Sequence, residues 1–97
     1  MSVMVVLELQ SSAENIEQLK SIFKEILPDT RKYDGCQSIE VFDNQDDANN
    51  LILVERWESR QHYEAYLAWR TETGTLNTIG SLATQPPSIR FYDAVDA

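Results

Sequence analysis

The stretch "ERWESRQHYEAYLAWR", Glu55–Arg70, changes its periodicity halfway. Its first residues close the apolar run "LILVERW", in which Leu51, Leu53, Glu55 and Trp57 alternate onto one face of a strand. Ser59 then stands where a helix needs a side chain to accept from its unpaired first-turn amides. From there to about Arg70 or Thr71 the spacing is helical. His62, Tyr66 and Trp69 fall at i, i+4 and i+7 on one face, overlapped by a stripe of Tyr63, Tyr66, Leu67 and Arg70. A strand that feeds a capped, aromatic-rich helix forms half of a sheet-and-helix unit, so the remainder of the chain has to supply the other strands.

Upstream, Val3 to Gln10 reads as a strand of β-branched and apolar residues. "SSAENIEQLKSIFKEILPD" follows. Ser11 and Glu14 have capping-box spacing, and Ile16, Leu19, Phe23, Ile26 and Leu27 fall on one helical face. Pro28 is expected to stop this helix at Leu27, because the residue before a proline avoids the α region. "DTRKYDG" then reads as a loop with Asp34-Gly35 as its turn. Cys36 to Phe42 alternates as a second strand, and "DNQDDANN" reads as the hairpin connection to Leu51–Trp57. After the aromatic helix, "TETGTLNTIGSLATQPP" is a loop with one short helical piece near Asn77–Leu82, and Ser88 to Val95 is a fourth strand. The order β-α-β-β-α-β is the ferredoxin-like arrangement: an α+β fold with two helices on one face of a four-stranded antiparallel sheet. The other face keeps apolar side chains, which predicts a homodimer through the open sheet face.

Composition sets the outer bounds. Ninety-seven residues make one domain, 1–97. A formal net charge of −8 repels phosphate backbones and anionic lipid, so neither nucleic acid nor membrane is an expected partner. No run approaches the ~20 apolar residues of a membrane span, and the N-terminus lacks the pattern of a signal peptide. The lone Cys36 excludes an internal disulfide and fits a cytoplasmic setting. With one His and one Cys far apart, no metal is expected.

The Gly35-Cys36 turn in "TRKYDGCQSIEVF", the hairpin into "LILVERWES" and the helix "RQHYEAYLAW" resemble the antibiotic biosynthesis monooxygenase (ABM) family over nearly the whole chain. The resemblance implies a dimeric α+β barrel. It also implies oxidation of small electron-rich aromatics, quinol or polyketide-like, with O₂ and no cofactor. Many relatives carry a His in the helix after the third strand; Tyr66 takes that place here, with His62 one turn earlier. The family also has a haem-degrading branch that carries an Asn in its first strand; "VMVVLELQ" contains none, so the resemblance does not extend to haem degradation.

Such a reaction needs a dry, mostly apolar pocket with a few polar tips, since the substrate's own enolate or phenolate reduces O₂. The candidates are His62 and Tyr66 as catalytic groups and Trp57, Tyr63, Trp69 and Arg90 as substrate-binding ones. Each also has a packing reading: Tyr63, Tyr66 and Leu67 as core, His62 as a solvated first-turn residue. Glu55, on the face of Leu53 and Trp57, is expected to form a structural ion pair with Arg90 or Arg56. A non-oxidative binding or isomerising domain, or a structural dimer, are the alternatives to the monooxygenase.

Overall fold

A computed structural model describes residues 2–97 and places seven elements in chain order. They are β1 (Val3–Gln10), α1 (Ile16–Arg31), β2 (Cys36–Asn44), β3 (Asp47–Trp57), α2 (Arg60–Glu72), α3 (Thr75–Leu82) and β4 (Ser88–Tyr92). The sheet runs β2-β3-β1-β4 with every neighbouring pair antiparallel. That is the ferredoxin-like α+β fold, with α3 added between α2 and β4.

Alternation divides the sheet into two faces. Val5, Leu9, Ile39, Leu51, Leu53, Glu55 and Trp57 point under the helices and are buried. Met4, Val6, Ile52 and Val54 lie on the opposite, uncovered face, flanked by Phe42 and Tyr92, both more than two-fifths exposed. From the helix side, α1 sends Ile16, Leu19, Phe23 and Leu27 into the core, while Ile26 is half-buried.

Local expectations needed correction at several points. The Ser11–Glu14 capping box does not form. Ser11, just past the end of β1, is engaged elsewhere, its N–H donating to Asn49 O at 2.8 Å and its hydroxyl to Leu82 O at 2.6 Å, so α1 starts later behind Asn15. Pro28 does not end α1, which runs on to Arg31. The proline removes the amide that would bond the Lys24 carbonyl, on the exposed side of the helix. The next turn is held from outside by Arg70, whose guanidinium donates to Ile26 O at 3.0 Å, and by the burial of Leu27 and Thr30. Tertiary contact outweighs the local preference, and the loop shrinks to residues 32–35.

The β2–β3 hairpin also closes more tightly than its composition suggests, with only Gln45 and Asp46 in the turn. Asn44 Oδ1 accepts from Asp46 N at 2.8 Å, and Asn50 Nδ2 donates to Glu8 and Gln10 across the sheet, so these polar residues extend the strands. At the other end, β4 stops at Tyr92 instead of reaching Val95.

Candidate active site

The α2 start is built as its sequence requires. Ser59 has extended backbone angles and its hydroxyl accepts from His62 N at 3.2 Å. With α2 beginning so soon after Trp57, Tyr63, Tyr66 and Arg70 turn inward over the end of β3. Trp57, fully buried, packs against Tyr66 (centroids 5.0 Å apart) and edge-on against Tyr63 (5.5 Å). Tyr33, from the α1–β2 loop, stacks on Trp69 at 5.1 Å and meets Tyr66 edge-on at 5.3 Å. Offset and edge contacts of this kind add about 0.5–1.5 kcal/mol each beyond area burial.

Two charged groups sit inside this apolar box. Glu55 is 2% exposed, and Trp57 Nε1 donates to its Oε1 at 3.0 Å. Burial pushes the carboxyl up to about 7, the Trp57 hydrogen bond pulling the other way. Arg70 is 5% exposed. It donates to the Tyr66 hydroxyl (3.0 Å), Thr30 Oγ1 (2.9 Å) and Ile26 O, and its guanidinium lies over the Trp69 ring at 4.4 Å. Among the described residues neither Glu55 nor Arg70 joins an ion pair. The expected Glu55 partnership with Arg90 or Arg56 is therefore replaced by the Trp57 indole. Arg90 and Arg56 project from the uncovered face, at the registers of Val6 and Met4, and both are exposed.

Hydrogen bonding around Arg70 has one consistent direction. Arg70 donates to Tyr66, the Tyr66 hydroxyl can donate to Thr30 (2.6 Å), and Thr30 donates to Ile26 O (3.4 Å). Each hydroxyl hydrogen is then used, so Tyr66 acts as a holder of Arg70 and not as a free acid. Tyr63 stays protonated: burial first, then the charge of Glu55 and the neighbouring Tyr66, push its phenol far upward. The Cys36 thiol is likewise raised, by burial and then by Glu55, with Arg31 opposing, so no reactive thiolate is present at that position.

Glu55, Tyr63, Tyr66 and Arg70 all line a cavity of about 30 Å³, roofed by Thr75, Leu76 and Ile79 of α3. It is large enough for a species of water size and far below the several hundred Å³ of a ring-binding pocket. A wider groove of about 390 Å³ between α1 and the β2–β3 hairpin carries Lys20, Lys24 and Arg31 at its rim and is open to solvent. The smaller cavity is the candidate site because it holds the buried acid and the buried cation.

Of the residues singled out in the sequence, Trp57, Tyr63 and Tyr66 come together here, with Trp69 half-buried at the rim. His62 turns away to the surface beside Asp34 and Glu58. Glu55 and Arg70 are the groups that the sequence reading left out of the site. Arg70 was legible as the i+7 member of the Tyr63 stripe, and Glu55 by its parity with Trp57.

The fold and this aromatic cluster define a small ferredoxin-like α+β protein with a pocket on the helix side of its sheet. A family model described as "antibiotic biosynthesis monooxygenase" matches residues 2–71, and the chain belongs to that family. No curated protein matches the chain. Among solved structures it is similar to an antibiotic biosynthesis monooxygenase at 21% identity and TM-score 0.87, covering 97% of this chain and 99% of the other. It is also similar to a putative antibiotic biosynthesis monooxygenase from Deinococcus radiodurans, at 24% identity and TM-score 0.85, covering 98% and 94%. A third likeness is to SnoaB, a cofactor-independent oxygenase from Streptomyces nogalater, at 14% identity and TM-score 0.83, covering 99% and 95%. At such identities these likenesses establish the fold alone. Among the described residues no helix is long and apolar enough to cross a membrane.

Proposed function

We propose that the chain is a cofactor-independent monooxygenase of a small electron-rich aromatic, of quinol or anthrone type, in which Glu55 is the base and Arg70 stabilises the anion. The observation that carries this is a buried carboxyl group titrating near neutrality in the same small cavity as a buried guanidinium that joins no ion pair among the described residues. A base with a pKa close to the working pH transfers protons most efficiently, and a fixed cation in a dry site stabilises developing negative charge.

The chemistry balances without an outside reductant. Glu55 takes the proton of an acidic ring C–H or O–H, the substrate anion passes an electron to O₂, and the radical pair joins at carbon as a hydroperoxide. Loss of water then leaves a carbonyl. For an anthrone, a ring CH₂ and O₂ become C=O and H₂O; for a quinol, the products are a hydroxyquinone and H₂O. Leu53 and Tyr63 provide walls, Trp57 holds Glu55 through its indole N–H, and Tyr66 holds Arg70. The ring enters by displacing α3, which carries one buried residue, Ile79, and leaves α2 through Gly74, a residue at φ +80°.

The uncovered sheet face supports a two-fold homodimer, in which Met4, Val6, Ile52 and Val54 meet their symmetry mates. The test of function is oxygen uptake with a panel of quinols and anthrones. Turnover is expected, lowered at least ~100-fold in Glu55→Gln, the usual worth of a general base. No uptake with any member, or full activity in Glu55→Gln, refutes the mechanism. Ligand-induced thermal stabilisation without oxygen uptake would favour a non-oxidative binding domain instead.

A further inference from the structure

Outside the aromatic pocket, the start of α2 carries a second cluster that the oxidation does not use. His62 Nε2 lies 3.4 Å from Glu58 Oε2 and 3.8 Å from Asp34 Oδ2, and one ligand atom from each of the three lies within 4.8 Å of the others. We propose that Asp34, Glu58 and His62 form a binding site for one first-row divalent cation of the Zn²⁺ class.

The distances match that coordination. Ligands about 2.0–2.2 Å from a tetrahedral ion stand roughly 3.3–3.5 Å from one another. The His62–Glu58 separation already has this value, and the His62–Asp34 separation exceeds it by a few tenths of an ångström. Both carboxylates are exposed and move to close the difference at little cost.

The imidazole is oriented for the role. Ser59 Oγ lies 2.6 Å from His62 Nδ1 and accepts from the His62 backbone N–H as well, which its two lone pairs allow. With the proton on Nδ1, the Nε2 lone pair faces the two carboxylates, and this hydrogen bond fixes the tautomer and the ring plane as outer partners of metal-bound histidines do. Gly35 makes the approach possible. A Cβ there would stand 2.5 Å from the Cβ and Cγ of His62, so only glycine lets the Asp34 loop lie against the ring. The Glu58 amide donates to Gly35 O at 2.8 Å and joins the same two segments through the backbone.

One imidazole and two carboxylates, with a further position for water, suit Zn²⁺, Co²⁺ or Ni²⁺ better than Ca²⁺ or Mg²⁺, which prefer oxygen throughout. The partial positive charge of the α2 N-terminus, about half a unit, opposes a cation but is outweighed by two carboxylates. Asp34 follows Tyr33, the ring stacked on Trp69, so a bound ion clamps that loop onto α2 at the edge of the aromatic cluster. The site stands or falls independently of the proposed oxidation.

The experiment is calorimetric titration of the chelator-treated full chain with Zn²⁺, alongside thermal unfolding with and without the ion. One equivalent is expected to bind and to raise the unfolding midpoint. His62→Gln and Glu58→Gln should each lower the affinity more than tenfold. Neither side chain is in the core, so both ion-free variants should melt within about 2 °C of the parent. Glu64→Gln, two residues beyond His62 on the same helix, and Cys36→Ser should stay within twofold. Absence of binding at sub-millimolar Zn²⁺, survival of binding in either ligand variant, equal loss in Glu64→Gln, or dependence on Cys36 would overturn the site.

Discussion

Replacing Glu55 by Gln should abolish the pH dependence that this residue gives to stability. The carboxyl titrates at about 7 in the folded chain and at its ordinary 4.5 when unfolded. Because the folded form holds the proton more tightly, the residue is most favourable to folding below pH 4.5. That contribution falls as pH rises from 4.5 to 7, and above 7 the full penalty of a buried charge remains. A displacement of about 2.5 pH units corresponds to roughly 3 kcal/mol, of which about 2.5 kcal/mol is lost between pH 5 and pH 8. Glutamine keeps an oxygen for the Trp57 N–H and cannot ionise. Urea unfolding at both pH values, followed by tryptophan fluorescence, isolates the effect as a double difference, since the other titrating groups are common to the two chains. Relative to the parent, the Gln variant should gain about 2.5 kcal/mol on going from pH 5 to pH 8. A double difference below about 0.5 kcal/mol would mean that water reaches the carboxylate, and the base proposed for the oxidation would lose its physical ground.

Three further outcomes follow from particular contacts. Tyr66→Phe deletes the hydroxyl between Arg70 and Thr30 and should cost about 1–3 kcal/mol in urea unfolding, the price of leaving buried donors unpaired; a change below about 0.5 kcal/mol would show that water replaces it. Gly35→Ala should destabilise by a similar 1–3 kcal/mol, because φ is +89° and the new methyl meets His62. If it is neutral in the same assay, the loop does not lie against the ring. On the proposed two-fold dimer, Val54→Asp, paired with Val6 and Glu40 on the uncovered face, should halve the mass measured by light scattering while circular dichroism stays unchanged. An unchanged dimer mass would place the interface elsewhere.

The order of strands and helices was legible in the residues because each element carries its own periodicity. The two-residue alternation of "LILVERW" put Glu55 on one face with Trp57, and the two overlapping helical stripes of α2 put Tyr66 inward; which face of the strand the helices cover came from the packing. Ser59 showed where α2 begins, since a cap acts within one turn of its own helix. What local pattern could not settle was which distant group meets which. The continuation of α1 past Pro28 depends on Arg70, far along the chain and on another helix. Glu55 took an indole in place of a guanidinium because Arg56, its neighbour on β3, faces the other way by alternation, and Arg90 has the opposite parity too, which can be read only once the register between β1 and β4 is known. Likewise Asp34 is remote along the chain from the local i,i+4 pair Glu58–His62 and meets it only where the Gly35 turn is pressed onto α2. Periodicity is a property of neighbours in sequence, whereas burial of a charge and the closure of a site are set by packing between segments that share no local signal.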